Sequence, residues 1–179
     1  MRRIWLAAWV VGCALLTAAS MQGQAPPPPA AELQQLDFLT GHWTAEGTYT
    51  AGPPGTPSTK WSAITDGEWM DGKYFFVEHS EMDLGPGGKG KQMVIMGYDS
   101  DNKVYTHTAF DSWGEAEKAT GTVNGGTWTW TSEERFGGKT FKARLTEKVL
   151  SPTSYTMKYE RSLDGTNWMT AVEGTATKK

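Results

Sequence analysis

The sequence predicts an all-β fold, an antiparallel up-and-down β-barrel of about ten strands entered through a short N-terminal helix. Three observations lead there. Beyond Gly41, runs rich in Thr, Tyr, Val, Phe and Trp alternate with turn clusters at intervals of about 8 to 14 residues, the rhythm of short antiparallel strands. Several of these runs carry apolar residues at every second position, as a sheet wet on one face requires. Finally, an open sheet of about ten twisted strands would leave long exposed edges, which closure into a barrel removes. A barrel of that size is just wide enough to hold side chains or one small ligand.

The elements follow in order. "MRRIWLAAWVVGCALLTAAS" has a basic start, an apolar middle and small residues at its end. That layout makes residues 1–20 a secretory signal peptide, and the apolar run is too short for a stable membrane span. A secreted or periplasmic location is therefore expected. Val10-Val11-Gly12-Cys13 also has the form of a lipobox, and lipidation at Cys13 is the minor alternative. Residues 21–31, with "APPPPA", form a stiff proline-rich spacer. Residues 32–179 form the barrel domain. Leu33, Leu36 and Leu39 or Phe38 recur at helical spacing, and Gly41 ends that helix. The helix should cover one end of the barrel, with Trp43 the first bulky residue on its floor.

The strands then come between "AGPPGTPS", "DGEWMDGK", "GPGGKG", "DSDNK", "DSWG", "NGG", "FGGK", "SPTS" and "LDGTN". In "TWTWTSE", Trp128 and Trp130 face one way and the threonines the other. In "TFKARLTEK", Phe141, Ala143 and Leu145 oppose Lys142, Arg144 and Thr146. In "SYTMKYERS", Tyr155, Met157 and Tyr159 oppose Thr156, Lys158 and Glu160. "QMVIMGYD" is apolar on both faces, so the parity of residues 91–99 stays open.

"LTGHWTAEGTY" resembles the calycins, meaning lipocalins and fatty-acid-binding proteins, whose first strand carries a Gly-x-Trp motif matched here by Gly41-His42-Trp43. Over nearly the whole chain after the signal, "LDFLTGHWTAEG", "WMDGKYFFVEH", "MGYDSDNKVY", "FDSWG" and "SLDGTNW" resemble a bacterial family of secreted proteins, the domain of unknown function 1579. That resemblance implies a lipocalin-like barrel and no established activity. By similarity to fatty-acid-binding proteins, Tyr159 and Arg161 on a late strand would hold a ligand carboxylate. By similarity to lipocalins, Arg161 would instead stack over Trp43 and close the barrel end. The second role is the favoured one.

The reading of the residues adds further candidates. Tyr74, Phe76, Glu78 and Ser80 share a face, and if it turns inward Glu78 is a buried carboxyl needing a partner such as Arg161, or a raised pKa. His107 in "VYTHTAFD" is placed to face the interior. His42, His79 and His107 have no zinc-ligand spacing and no cysteine remains after residue 20, so no metal is expected. Surface or hydrogen-bonded roles are the default for all three. A single-His haem barrel of the nitrobindin kind is the other place for His107, but that family's further motifs are not found, and no cofactor is expected. Ser-His-Asp catalysis lacks its Gly-x-Ser-x-Gly elbow, and "GPGGKG" opens no helix to cradle a phosphate.

Removing Arg2 and Arg3 leaves 15 basic against 20 acidic side chains, a net charge of −5, which argues against nucleic acid as a partner. The expected activity is binding of a small apolar or amphipathic molecule inside the barrel. Trp61, Phe76, Trp128, Trp130 and Tyr159 would form the wall, and Glu78, His107 and Arg161 the orienting polar groups. The alternatives are a barrel hydrolase or isomerase using Glu78 and His107, and a structural module with a filled core. An enzyme is the less expected of the readings, and the chain says nothing of oligomeric state.

Overall fold

The computed structural model of the protein describes residues 26–179 apart from residues 51, 53, 54 and 137. The expected signal peptide, Cys13 and the first part of the spacer lie outside them. Ten antiparallel strands follow one another: β1 (Gly41–Tyr49), β2 (Thr59–Trp69), β3 (Phe76–Asp83), β4 (Lys89–Asp99), β5 (Val104–Asp111), β6 (Ala116–Asn124), β7 (Thr127–Phe136), β8 (Lys139–Ser151), β9 (Ser154–Ser162) and β10 (Met169–Lys178). Each pairs with the next, and β1 pairs with β10, so the sheet closes on itself. Closure leaves no unpaired edge along the wall.

Two glycines make that closure tight. Gly47 and Gly174 face each other across the β1–β10 seam. A Cβ on Gly47 would sit 1.9 Å from the Glu173 carbonyl oxygen, and one on Gly174 would press into Glu46 and the Trp61 ring. The Trp61 indole lies over this seam and donates to the Glu173 carbonyl at 3.1 Å. Trp130 lies in the same way against Gly121 on the neighbouring β6. An aromatic ring thus fills the space a glycine leaves on the inner wall.

The expected N-terminal helix takes another form. Ala31–Leu39 is a 3-10 helix, not an α-helix. Its three leucines stand at strict intervals of three, and a helix with three residues per turn brings such positions into one line. Leu33, Leu36 and Leu39 are all buried, Leu36 completely. Four aromatic donors hold the segment on the barrel end. The Trp43 indole donates to the Leu39 carbonyl at 2.9 Å, the Tyr105 hydroxyl to Glu32 at 2.9 Å, the Trp69 indole to the Asp37 carboxylate at 2.8 Å and the Tyr74 hydroxyl to Pro27 at 2.6 Å. Of these, the Trp43 bond satisfies a carbonyl that the C-terminal end of the helix leaves open. Gly41, at φ 104°, makes the sharp entry into β1.

Beneath the helix the floor is aromatic. Trp43 meets Tyr155 edge-on at 5.0 Å, Trp69 meets Phe76 at 5.1 Å, and Tyr105 meets Trp128 at 4.6 Å. Such pairs prefer edge-to-face geometry, which places the positive ring rim against a negative face. Trp128 stacks on Trp130 at 5.5 Å, so the two indoles of "TWTW" form a column running from the floor into the interior.

The register also settles the strand of open parity. Gln92, Val94, Met96 and Tyr98 face inward, because they pair with inward-facing positions of β3 and β5. Val94 and Met96 are buried accordingly, and Met93 and Ile95 remain on the outer wall, half-buried.

Candidate functional site

Sequence parity and register place four polar layers inside the barrel. β1 ascends from the floor at Gly41, and alternate strands run down and up from there. The floor layer contains the lysine nearest the helix. Lys178 pairs with Trp43 across the seam and sets its ammonium 5.3 Å above the indole ring. The expectation that Arg161 stacks on Trp43 is therefore corrected. β9 starts at the floor with Ser154 and carries Arg161 to its far end, opposite Met169 and Ala143. Chain direction separates the two residues by the height of the barrel.

The middle layer holds Glu78, His107, Trp130 and Glu147, with Tyr155 of the floor below them. Glu78 stands on β3 between Gly67 and Val94. Burial, then the charge of Glu147, pushes its carboxyl up to about 8, so it is protonated at neutral pH. Glu147 comes from β8, on the opposite wall. It is also buried and shifted upward by burial, though the Trp130 indole opposes this by donating to its Oε2 at 3.0 Å. The Tyr155 phenol is held well above its ordinary range by burial and then by these two carboxyls. His107 points between Met96 and Ala119, with its ring 5.2 Å from Trp130. Burial lowers it to about 4, and the imidazole is neutral.

This layer is not self-satisfied. His107 Nδ1 is fully buried without a hydrogen-bond partner, the one such side-chain atom among the described residues. The Glu78 carboxyl also has no protein partner. The residue is half-buried on the inner face of β3. No hydrogen bond joins Glu78 to His107, and no carboxylate contributes to the imidazole's shift. The geometry of an acid–base pair is therefore missing. Arg161 is not the partner of Glu78 either.

Nearer the other end, Ser80 on β3 and Thr65 on β2 share a hydrogen bond of 2.8 Å. At the mouth, Arg161 Nε lies 3.0 Å from Glu134 Oε2, and the Tyr159 hydroxyl donates to the other oxygen of Glu134. Burial, then this bond, holds the Tyr159 phenol far above its usual range. Ser132 donates to Glu117 at 2.8 Å, and burial raises the Glu117 carboxyl despite that bond. Tyr159 and Arg161 are thus brought together as the fatty-acid-binding resemblance implies, but a protein carboxylate already occupies them.

The remaining wall candidates divide by depth. Trp61 covers the seam near the mouth. Phe76 is completely buried under the helix against Gly67, and Trp128 belongs to the floor. Trp130 is the indole that reaches the polar middle layer. Glu147, Glu134 and Glu117 were not singled out from the sequence, yet parity contains the first two. Phe141, Ala143 and Leu145 continue to Glu147 on one face, and Trp128 and Trp130 continue to Glu134. His42 and His79 fit their default roles, His42 Nδ1 lying 2.6 Å from Asp66 at the surface and His79 exposed on the outer wall.

Two grooves on the outer wall, of about 630 and 560 Å³, include Thr48, Lys148, Lys158 and Glu173 in one lining and Lys118, Thr131, Lys142 and Trp168 in the other. Neither lining contains the middle-layer residues. Among the described residues no helix is long and apolar enough to cross a membrane, and no cluster of His, Cys, Asp and Glu has the arrangement of a metal site.

Comparison with known proteins adds the family. No curated protein matches the chain. Among solved structures, the crystal structure of Rv2717c from M. tuberculosis is similar, with a TM-score of 0.57 at 12% identity over 84% of this chain and 99% of that one. At that identity the likeness concerns the fold. Residues 28–178 match the model of the family described as "Protein of unknown function (DUF1579)", and the chain belongs to that family.

Proposed function

We propose that the protein binds a small apolar or amphipathic molecule inside its barrel. The observation that carries this reading is the inner wall, where His107 Nδ1 is buried without a partner and no hydrogen bond ties the Glu78 carboxyl among the described residues. Protein interiors ordinarily satisfy such groups, and an unsatisfied polar patch within an aromatic wall is how a ligand is oriented. Affinity would come from removing the guest's apolar part from water, about 25 cal/mol per Å², less the cost of immobilising it. Trp130, Leu145 and Met157 supply that surface, and the mouth layer of Arg161, Tyr159 and Glu134 sets the polarity of the entrance. A lipocalin-like carrier exported to the periplasm or the medium is part of the same reading. Its export rests on the layout of residues 1–20.

Native mass spectrometry of the protein purified from its own host tests the proposal. A co-purifying small molecule, lost on solvent extraction and regained on adding the extract back, is the expected result. Protein without adducts, whose tryptophan fluorescence no apolar or amphipathic probe alters, would leave the filled-core module as the better account.

A further inference from the structure

The outer wall of β3, β4 and β5 carries apolar side chains that the packing of the barrel does not use. β4 is apolar on both faces, the pattern of a strand covered on both sides, yet the barrel covers only its inner face. Its main contacts with other described elements are those with β3, β5 and the 3-10 helix on the floor. Register extends the stripe sideways. Val77, Ile95 and Thr108 stand in one row across β3, β4 and β5, and His79, Met93 and Phe110 in the next row towards the mouth. Phe110 is 44% exposed, and Phe75, just before β3, is 48% exposed with its ring over Gly97. The outer positions of β8 show the contrast, with Lys142, Arg144, Thr146 and Lys148.

The row through Ile95 ends in opposite charges. Glu68 on β2 pairs with Val77, and Lys118 on β6 pairs with Thr108, so an acid and a base stand two strands to either side of Ile95. Both are exposed, and neither has an ion-pair partner among the described residues. The charges nearest them are matched within the chain: Asp66 with His42, Glu81 with Lys91 and Asp83 with Lys89. Lys60 and Asp99 lie beyond these rows, at the mouth and floor ends of the wall.

We propose that this wall is the interface of a homodimer, in which two copies pack the outer faces of β3, β4 and β5 against each other about a two-fold axis parallel to β4. A two-fold contact uses the same patch on both subunits and must be complementary to itself. This axis sets Ile95 and Met93 of one copy against the same residues of the other, His79 opposite Phe110, and Glu68 towards Lys118 at both flanks. An axis across the strands would set Glu68 against Glu68 and Lys118 against Lys118, so charge selects the first arrangement. Packed faces exclude water from the stripe, which is the driving force of the contact. The barrel interior takes no part, and the dimer does not depend on a guest.

Sedimentation velocity of the protein purified from its own host, between about 1 and 100 μM, tests the contact. A concentration-dependent shift from monomer to dimer is expected. Ile95→Lys sets two ammonium groups against each other on the axis and should raise the dissociation constant at least about thirtyfold. Since Ile95 is half-buried, the exposed flanks provide variants that leave the fold alone. Lys118→Glu places like charges opposite each other at both flanks and should weaken the dimer about fivefold, and Glu68→Lys should do the same. The double variant exchanges the two charges and should return the constant to within about twofold of wild type. Monomer at every concentration overturns the inference. So does a dimer that neither single reversal weakens, or one that the double variant fails to restore.

Discussion

Replacing Glu78 by Gln should stabilise the protein at neutral pH, and the amount can be worked from the structure. The Glu78 carboxyl titrates near 8 in the folded chain against an ordinary value of 4.5. Below 4.5 both states carry the proton and the residue is neutral to stability. Between 4.5 and about 8 the unfolded chain has lost the proton and the folded chain keeps it, so stability falls as pH rises through that window. At pH 7 the penalty accumulates over about 2.5 pH units at roughly 1.4 kcal/mol each, an upper bound of about 3.5 kcal/mol. The partial exposure of the residue reduces it. Gln reproduces the shape of the protonated acid and has no proton to lose. Urea denaturation of wild type and Glu78→Gln at pH 4, 6 and 8 is the assay. The two should coincide at pH 4 and separate progressively, with a gain in melting temperature at pH 7 of up to roughly 10 °C for a domain of this size. Equal stability at pH 4 and at pH 8 would refute the enclosure of Glu78 from which the middle layer is argued.

Other perturbations test the remaining layers. Gly47→Ala places a methyl 1.9 Å from the Glu173 carbonyl across the closing seam, so a loss above about 3 kcal/mol or failure to fold is expected in thermal denaturation. Leu36→Ala should cost about 2–5 kcal/mol by the same measurement, because the side chain is completely buried between the 3-10 helix and the floor. Arg161→Met leaves Glu134 without its cation at the mouth. A loss of about 1–2 kcal/mol is expected, discounted because the guanidinium is partly exposed, with no change in Trp43 near-ultraviolet dichroism. Trp130→Phe removes the indole donor from the buried Glu147 carboxyl, and should lower stability by about 1–3 kcal/mol in urea denaturation.

Much of the wall was legible before any coordinates. In a strand, side chains alternate between two faces, so Trp128, Trp130, Tyr155 and Tyr159 declared their side through period two alone. The same rule, carried two residues further, contains Glu147 and Glu134. The strand of residues 91–99 resisted the rule. Val94 and Met96 have apolar outer neighbours in Met93 and Ile95, so its pattern has no polar face to mark.

The sequence by itself determined the local matters: ten strands from period and turn chemistry, the entry turn at Gly41, and the inner face of most strands. These depend on residues a few positions apart. Tertiary structure alone decided which distant residues meet. Chain direction put Lys178, and not Arg161, over Trp43, and the opening of the barrel gave Arg161 to Glu134. Closure also set Glu78 and Glu147 on opposite walls of one interior, where the charge of Glu147 adds to the cost of ionising Glu78. No spacing along the chain encodes that encounter, because it is fixed by strand tilt and register around the whole ring.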